Sequence, residues 1–264
     1  MRVRKQLIFT LLFIVLLSPK VLCEELSWKE IKGDHFIVYY LGKDEFATNV
    51  MRKAEEYYNT IGNDLGYERR DNFWQWENRV KLYIYPTREQ FLSGTAQQDW
   101  SHGFANYQKK EIRSYEWKEG FLESLLPHEL THLIFRDYVG FDGEIPVWLD
   151  EGVAQWQEPQ KKAIVRQVMR QCLAAEQGYT FKDLMTIDIR TVSLASAVEL
   201  FYIESASIIE FLVSKYGADQ FIFFCRQLRD GKIMDEALRF AYPTEIRDVQ
   251  QMEEKWKDYI LGAL

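Results

Sequence analysis

The chain has 264 residues, 47% of them hydrophobic and 15% aromatic, with few glycines and prolines. This composition excludes a disordered or collagen-like chain and predicts a globular protein, either one domain or two lobes that share a cleft. The formal net charge of −7 gives no electrostatic reason to expect nucleic acid or an anionic membrane surface as a partner.

The first 23 residues have the three-part layout of a secretory signal peptide. The basic MRVRKQ precedes the apolar run LIFTLLFIVLL, and SPKVLC follows before the sequence turns acidic at Glu24. The apolar run is too short to cross a bilayer comfortably. We therefore expect cleavage near Cys23, a secreted or periplasmic protein, and no membrane span in the mature chain. If the signal is not cleaved, the same segment would serve as a membrane anchor.

The first half of the mature chain, about residues 24–135, predicts a small α/β lobe. Alternating or β-rich segments predict strands at residues 35–40, 79–85, 103–107 and 112–115. Apolar residues at helical spacing predict a helix from Phe46 to Leu65, which Gly66 ends. Thr87 and Gln90 form a capping box for a second helix after Pro86.

The second half, about residues 136–264, predicts a helical lobe. Helices are expected at residues 124–138, 147–157, 160–177, 197–216, 218–229, 235–241 and 245–261. With Ser124 as the N-cap of the first of these helices, Pro127 lies in the first turn, where its missing N–H costs nothing. This first helix lies at the junction of the two lobes, where ligand sites are usually built.

Two cysteines, Cys172 and Cys225, remain after removal of the signal. In an oxidising compartment they could form a disulfide, but both also lie in apolar helical patterns that favour two buried thiols. Neither has a CxxC partner or a neighbouring histidine, so no metal or redox site is predicted there.

The segment LLPHELTHLIF, residues 125–135, contains an HExxH motif. His128 and His132 are four residues apart and therefore project from one face of a helix, where both can bind one ion. Glu129 is offset by about 100° and lies beside that ion, in the place of a general base for a metal-bound water. The alternative is that the three residues form only the polar face of an amphipathic helix. The surrounding apolar residues argue against it, because a buried imidazole pair with nothing to bind is costly.

A third ligand candidate, Glu151, lies on the next predicted helix within WLDEGVAQ. Catalytic zinc usually takes three protein ligands and leaves one position open, and two histidines with one glutamate are a known set. The pattern HELTH…WLDEGVAQ resembles the gluzincin metallopeptidases and, within them, the peptidase MA-like group. The strand segments DHFIVYY, KLYIYPT and HGFANY and the helical segments FYIESASIIEFLVSKYG, GKIMDEALRFAY and EKWKDYIL extend the resemblance over most of residues 30–261.

The resemblance implies one α+β, gluzincin-type (thermolysin-like) peptidase domain over residues 24–264. A small N-terminal mixed sheet with helices would be followed by an all-helical C-terminal lobe. It also implies that His128, His132 and Glu151 bind Zn²⁺. Glu129 would activate the zinc-bound water and later return its proton to the leaving amine.

The resemblance implies further site residues. Gly103, Phe104 and Ala105 lie on the strand that pairs with the substrate backbone in such enzymes. Tyr202 stands near the position that often donates to the tetrahedral oxyanion, although a half-buried aromatic residue on a helix is an equally good reading. His102, beside the edge strand, is a second candidate for that role, against the alternative of a surface or loop histidine.

Asp150 is the residue that the resemblance implies as the partner of a zinc-bound histidine, which it would orient by a hydrogen bond. In thermolysin-like relatives an aspartate four residues after the third ligand has this role. The corresponding position here holds Gln155.

The favoured function is a secreted zinc-dependent peptidase acting on a peptide or protein substrate. An endopeptidase is preferred because the acidic signature with which aminopeptidase relatives hold a free N-terminus is not visible. Two alternatives stay open: a catalytically inactive extracellular binding protein on a metallopeptidase scaffold, and a zinc hydrolase of a non-peptide amide. The intact Glu129 argues against the inactive protein, which has no need for a base beside its zinc.

Overall fold

The computed structural model describes residues 27–66, 74–99, 101–117 and 120–262. The predicted signal peptide, residues 1–23, lies outside these described residues. Among the described helices, none combines the length and the apolar character that crossing a bilayer requires.

The described residues form a mixed α+β structure with one five-stranded sheet. Its strands are β1 (Lys29–Lys32), β2 (Phe36–Tyr40), β3 (Val80–Tyr85), β4 (Gly103–Asn106) and β5 (Glu111–Tyr115), and their spatial order is β1-β2-β3-β5-β4. The central β3 runs parallel to β2 and β5, whereas the edge strands β1 and β4 are antiparallel to their neighbours. The sequence did not predict β1, because KEIK is short and largely exposed and so lacks a clear apolar alternation.

The helices of the described residues follow in chain order. They are α1 (Asp44–Asp64), α2 (Arg88–Thr95), α3 (Leu126–Val139), α4 (Val147–Trp156), α5 (Pro159–Ala174), α6 (Phe181–Thr186), α7 (Ala195–Tyr216), α8 (Ala218–Arg229), α9 (Met234–Ala241) and α10 (Val249–Leu261). The sequence did not predict α6, which is too short to show helical periodicity. Its N-terminus is capped by Thr180, whose hydroxyl accepts the Asp183 N–H. Cys172 and Cys225 are free thiols, half-buried and buried respectively.

One face of the sheet forms a continuous core with the helices. Val80, Leu82 and Ile84 alternate along β3 and are buried, as a strand with one covered face requires. The helix α1 covers this face and packs against α3. The same buried cluster continues through α7 and α10, and the boundary predicted between the two lobes at residue 135 falls inside α3.

A π-helical turn, Phe121–Leu125, leads directly into α3. The prediction of Ser124 as the N-cap was wrong: Leu125 occupies that position without a side-chain cap. The turn supplies hydrogen-bonded helical backbone before α3, so no capping side chain is needed, and Ser124 donates its hydroxyl to Glu158 instead, at 2.6 Å. Pro127 lies in the first turn of α3 as predicted.

Candidate metal centre

The three predicted ligand side chains meet between α3 and α4. The Nε2 atoms of His128 and His132 lie 3.1 Å apart. The Oε2 atom of Glu151 lies 3.6 Å from the first Nε2 and 3.9 Å from the second. A tetrahedral ion with bonds of about 2.1 Å holds its ligand atoms about 3.4 Å apart. The three donor atoms therefore have the spacing that one tetrahedral ion needs, and the group fits a metal.

The backbone around α4 explains why Glu151 reaches the two histidines. Gly140 ends α3 in the left-handed conformation, with φ of 83°, and Pro146 is the N-cap of α4. Gly152, directly after Glu151, allows α4 to lie close against α7. A Cβ on Gly152 would meet the carbonyl oxygen of Ser205 at 2.9 Å. The position of Glu151, the third candidate ligand, thus depends on a contact that only glycine permits.

Each histidine also has a carboxylate partner on its other ring nitrogen. His132 Nδ1 lies 2.9 Å from Asp150 Oδ1, and His128 Nδ1 lies 3.0 Å from Glu158 Oε1. A carboxylate at this distance keeps the proton on Nδ1 and leaves the Nε2 lone pair free in the neutral imidazole. Two such lone pairs facing each other at 3.1 Å repel unless a cation lies between them. The hydrogen bonds therefore leave both rings able to bind a metal ion through Nε2.

The electrostatics of these side chains favour positive charge between them. Burial lowers the pKa of His128, but hydrogen bonds to Glu151 and Glu158 and the charge of Glu129 outweigh it and raise the pKa to about 10. The pKa of His132 is also raised, because its partner Asp150 outweighs the opposing effect of burial. The surrounding carboxylates therefore favour positive charge at this place.

Glu158 is a site residue that the sequence did not reveal. Its side chain is 4% exposed, and Oε1 also accepts a hydrogen bond from Lys161 at 2.8 Å. It lies in the tight turn between α4 and α5, where helical periodicity does not predict the direction in which a side chain points. Gln155, which holds the position expected to orient a histidine, bonds Lys161 instead. The side chain that contacts His128 Nδ1 thus belongs to the residue seven positions after Glu151.

The carboxylate of Glu129 has a different surrounding from the other acids of the site. It is half-buried, and within the described part of the chain it makes no hydrogen bond or ion pair. Its charge contributes to the raised pKa of both His128 and Tyr107, so the carboxylate lies near both side chains. It is free to bind a water molecule there.

Two tyrosines lie near the centre. Tyr202, on α7, is half-buried, and burial together with the charge of Glu151 raises its pKa. Tyr107, which the sequence did not single out, follows the edge strand β4, and its ring lies 6.3 Å from that of His132 in an edge-to-face arrangement. Burial raises the pKa of Tyr107, and the charges of Asp150 and Glu129 raise it further.

The predicted substrate strand is β4, an edge strand beside α3. Within the described residues β4 pairs with β5 alone, so its other edge is open for an added strand. Gly103 makes a close approach: a Cβ there would meet Leu125 at 2.4 Å and the Arg113 carbonyl at 3.0 Å. Ala105 faces the same core, whereas Phe104 packs into the aromatic cluster on the other face.

His102 points away from the metal centre. Side chains alternate along a strand, so His102 shares the face of Phe104 and not that of Gly103. Its Nδ1 lies 2.7 Å from the Tyr115 hydroxyl, and its ring stacks on Trp117 at 4.5 Å. The structure therefore does not bring His102 together with the ligands.

Comparison with known proteins agrees with this geometry. The family model described as the peptidase MA superfamily matches residues 69–262, a span that runs from before β3 to the end of α10 and includes all three ligand candidates. No curated protein matches the chain. Because the matched span covers most of the sequence, the chain belongs to the peptidase MA superfamily, a group of peptidases that typically depend on a metal.

Proposed function

We propose that this protein is a secreted, zinc-dependent peptidase of the gluzincin type that hydrolyses peptide bonds with Glu129 as the general base. The observation that carries the proposal is the convergence of two imidazole Nε2 atoms and one carboxylate oxygen at the spacing of a single tetrahedral ion. The family match adds that the surrounding fold is that of a peptidase.

The ligand set favours zinc among the common divalent ions. Two imidazoles and one carboxylate suit zinc, whereas magnesium and calcium prefer oxygen ligands alone. When bound, Zn²⁺ would lower the pKa of a water molecule and polarise the carbonyl of the scissile bond. His128, His132 and Glu151 would hold it, and Glu158 and Asp150 would fix the orientation of the two rings.

Glu129 would carry the proton transfers. Its carboxylate has no protein partner within the described residues, so it can accept a proton from the attacking water. The same carboxyl group would then give this proton to the leaving amine. Tyr202, whose pKa is raised by burial and by the charge of Glu151, would donate a hydrogen bond to the oxyanion.

The substrate would bind as an extended strand along β4. The backbone of Gly103, Phe104 and Ala105 offers an open edge next to α3. We favour an endopeptidase, because the sequence shows no acidic signature for holding a free N-terminus. The signal-like segment at residues 1–23 supports action outside the cytoplasm.

The proposal is tested by metal analysis of the purified mature chain together with a peptide-library assay that a chelator inhibits and zinc restores. Glu129→Gln should retain zinc and lose turnover, whereas His128→Ala should lose both. One zinc per chain without cleavage of any peptide would favour the binding-protein alternative. Retained hydrolysis in Glu129→Gln would remove the proposed mechanism.

A further inference from the structure

Tyr107 occupies a distinctive position between the substrate strand and the metal ligands. It is the first residue after β4, and its backbone carbonyl accepts the Lys110 N–H in the turn that joins β4 to β5. The ring lies edge-to-face with His132 at a centroid distance of 6.3 Å. A peptide paired along β4 and reaching the metal ligands would therefore pass the Tyr107 side chain.

The hydroxyl of Tyr107 is available to a ligand. The side chain is 38% exposed, and its hydroxyl makes no hydrogen bond within the described residues. The three carboxylates whose charges act on this phenol are Asp150, Glu129 and Glu151, which surround the metal centre. Because the ring lies edge-to-face with the candidate ligand His132, a peptide held at the metal centre would lie within reach of this hydroxyl.

Arg136 holds the ring in this position. It lies one helical turn after His132 on α3, and its guanidinium carbon sits 4.7 Å above the Tyr107 ring. One nitrogen of the guanidinium donates to the Gly143 carbonyl at 2.9 Å, and another lies 4.0 Å from Asp150 Oδ2. These contacts hold the guanidinium over the ring.

We propose that Tyr107 contacts the substrate directly, its hydroxyl donating a hydrogen bond to a backbone carbonyl of the peptide next to the scissile bond. This inference rests on the proposed function and assigns to Tyr107 a part in binding that differs from the part of Tyr202. A contact to a backbone carbonyl forms in the bound substrate as well as in the transition state, so it affects KM. A contact to the oxyanion forms only in the transition state and affects kcat.

The test uses Tyr107→Phe, which keeps the ring against His132 and Arg136 and removes only the hydroxyl. We expect KM to rise about tenfold with kcat within about twofold of wild type. Tyr39→Phe is the matched control. Tyr39 stacks on Tyr83. It alternates with the buried Val38 on β2 and therefore lies on the sheet face turned away from the core. The KM and kcat of Tyr39→Phe should therefore equal those of wild type.

A binding measurement makes the test independent of turnover. Calorimetry of the zinc-loaded protein with a peptide hydroxamate should show about tenfold weaker binding for Tyr107→Phe. Acetohydroxamate, which has no peptide backbone, should bind both proteins equally. Equal binding of the peptide hydroxamate, or equal weakening of both compounds, would overturn the proposal. If wild type holds zinc and cleaves no peptide, the proposed function fails, and the two hydroxamates still decide the role of Tyr107.

Discussion

Glu204, in the middle of α7, carries a carboxyl group in an apolar interior. It is fully buried, its Oε2 accepts the Tyr179 N–H at 2.9 Å, and its Oε1 has no hydrogen-bond partner in the described residues. Burial raises the pKa of this carboxyl from 4.5 to about 7, and the charge of Glu253 adds to the effect, whereas the Tyr179 N–H opposes it. The group therefore stays largely neutral below neutral pH.

The raised pKa makes stability depend on pH with a defined sign. The folded state binds this proton more tightly than the unfolded state. The stabilisation is therefore complete below the pKa of Glu204 in the unfolded state, and it is lost as the pH rises through the pKa in the folded state. At about 1.4 kcal/mol per pKa unit, a rise from 4.5 to about 7 corresponds to about 3 kcal/mol of unfolding free energy. Most of this loss falls between about pH 5 and about pH 8.

Glu204→Gln removes the charge and keeps an oxygen that can accept the Tyr179 N–H. Urea unfolding at about pH 5 and about pH 8 gives, at each pH, the difference in unfolding free energy between the two proteins. The metal ligands titrate in both proteins, so their contribution cancels in this difference. We expect this difference to move in favour of the variant by about 2.5 kcal/mol between the two pH values. A difference that stays constant within about 0.5 kcal/mol would refute the reasoning, because the carboxyl would then titrate alike in both states.

Three further predictions concern the metal centre and the strand beside it. Glu158→Gln, which weakens the hold on His128 Nδ1, should reduce zinc affinity about 10- to 100-fold in a chelator competition, and an unchanged affinity would contradict the orienting role. Gly103→Val should lower the free energy of unfolding by about 1–3 kcal/mol in thermal denaturation, since its Cβ meets Leu125, and an unchanged Tm would argue against that close approach. EDTA should lower the Tm of wild type but not that of His128→Ala, because an ion that binds only the folded state stabilises it. A wild-type Tm that is the same with and without EDTA would contradict the proposed metal site.

Local sequence patterns predicted much of the fold and the candidate ligands. The alternation in β3 and the apolar repeat of α1 follow from the periods of strand and helix, and both elements lie within about two residues of the predicted bounds. His128 and His132 share a face for the same reason, because four residues are close to one helical turn. The resemblance to a known family added Glu151, whose place no local period predicts.

Other features depend on how distant segments pack. Ser124 has the side chain of an N-cap, but the preceding π-helical turn and the nearby Glu158 give its hydroxyl another partner. The strand β1 and the helix α6 carry weak local signals. The strand forms by pairing with β2, and the helix packs against α4 and α10. Propensity alone therefore misses both of them.

The sequence by itself determined the residue types of the candidate ligands and the helical spacing of two of them, because one turn of one helix sets the relation of His128 to His132. Only the tertiary structure decided what surrounds them. Glu158 reaches His128 across 30 residues of sequence, and Tyr107 reaches His132 from a hairpin of the sheet. Such contacts are set by the approach of α4 to α7 and of β4 to α3, which depends on packing over the whole core and leaves no periodic pattern in the chain.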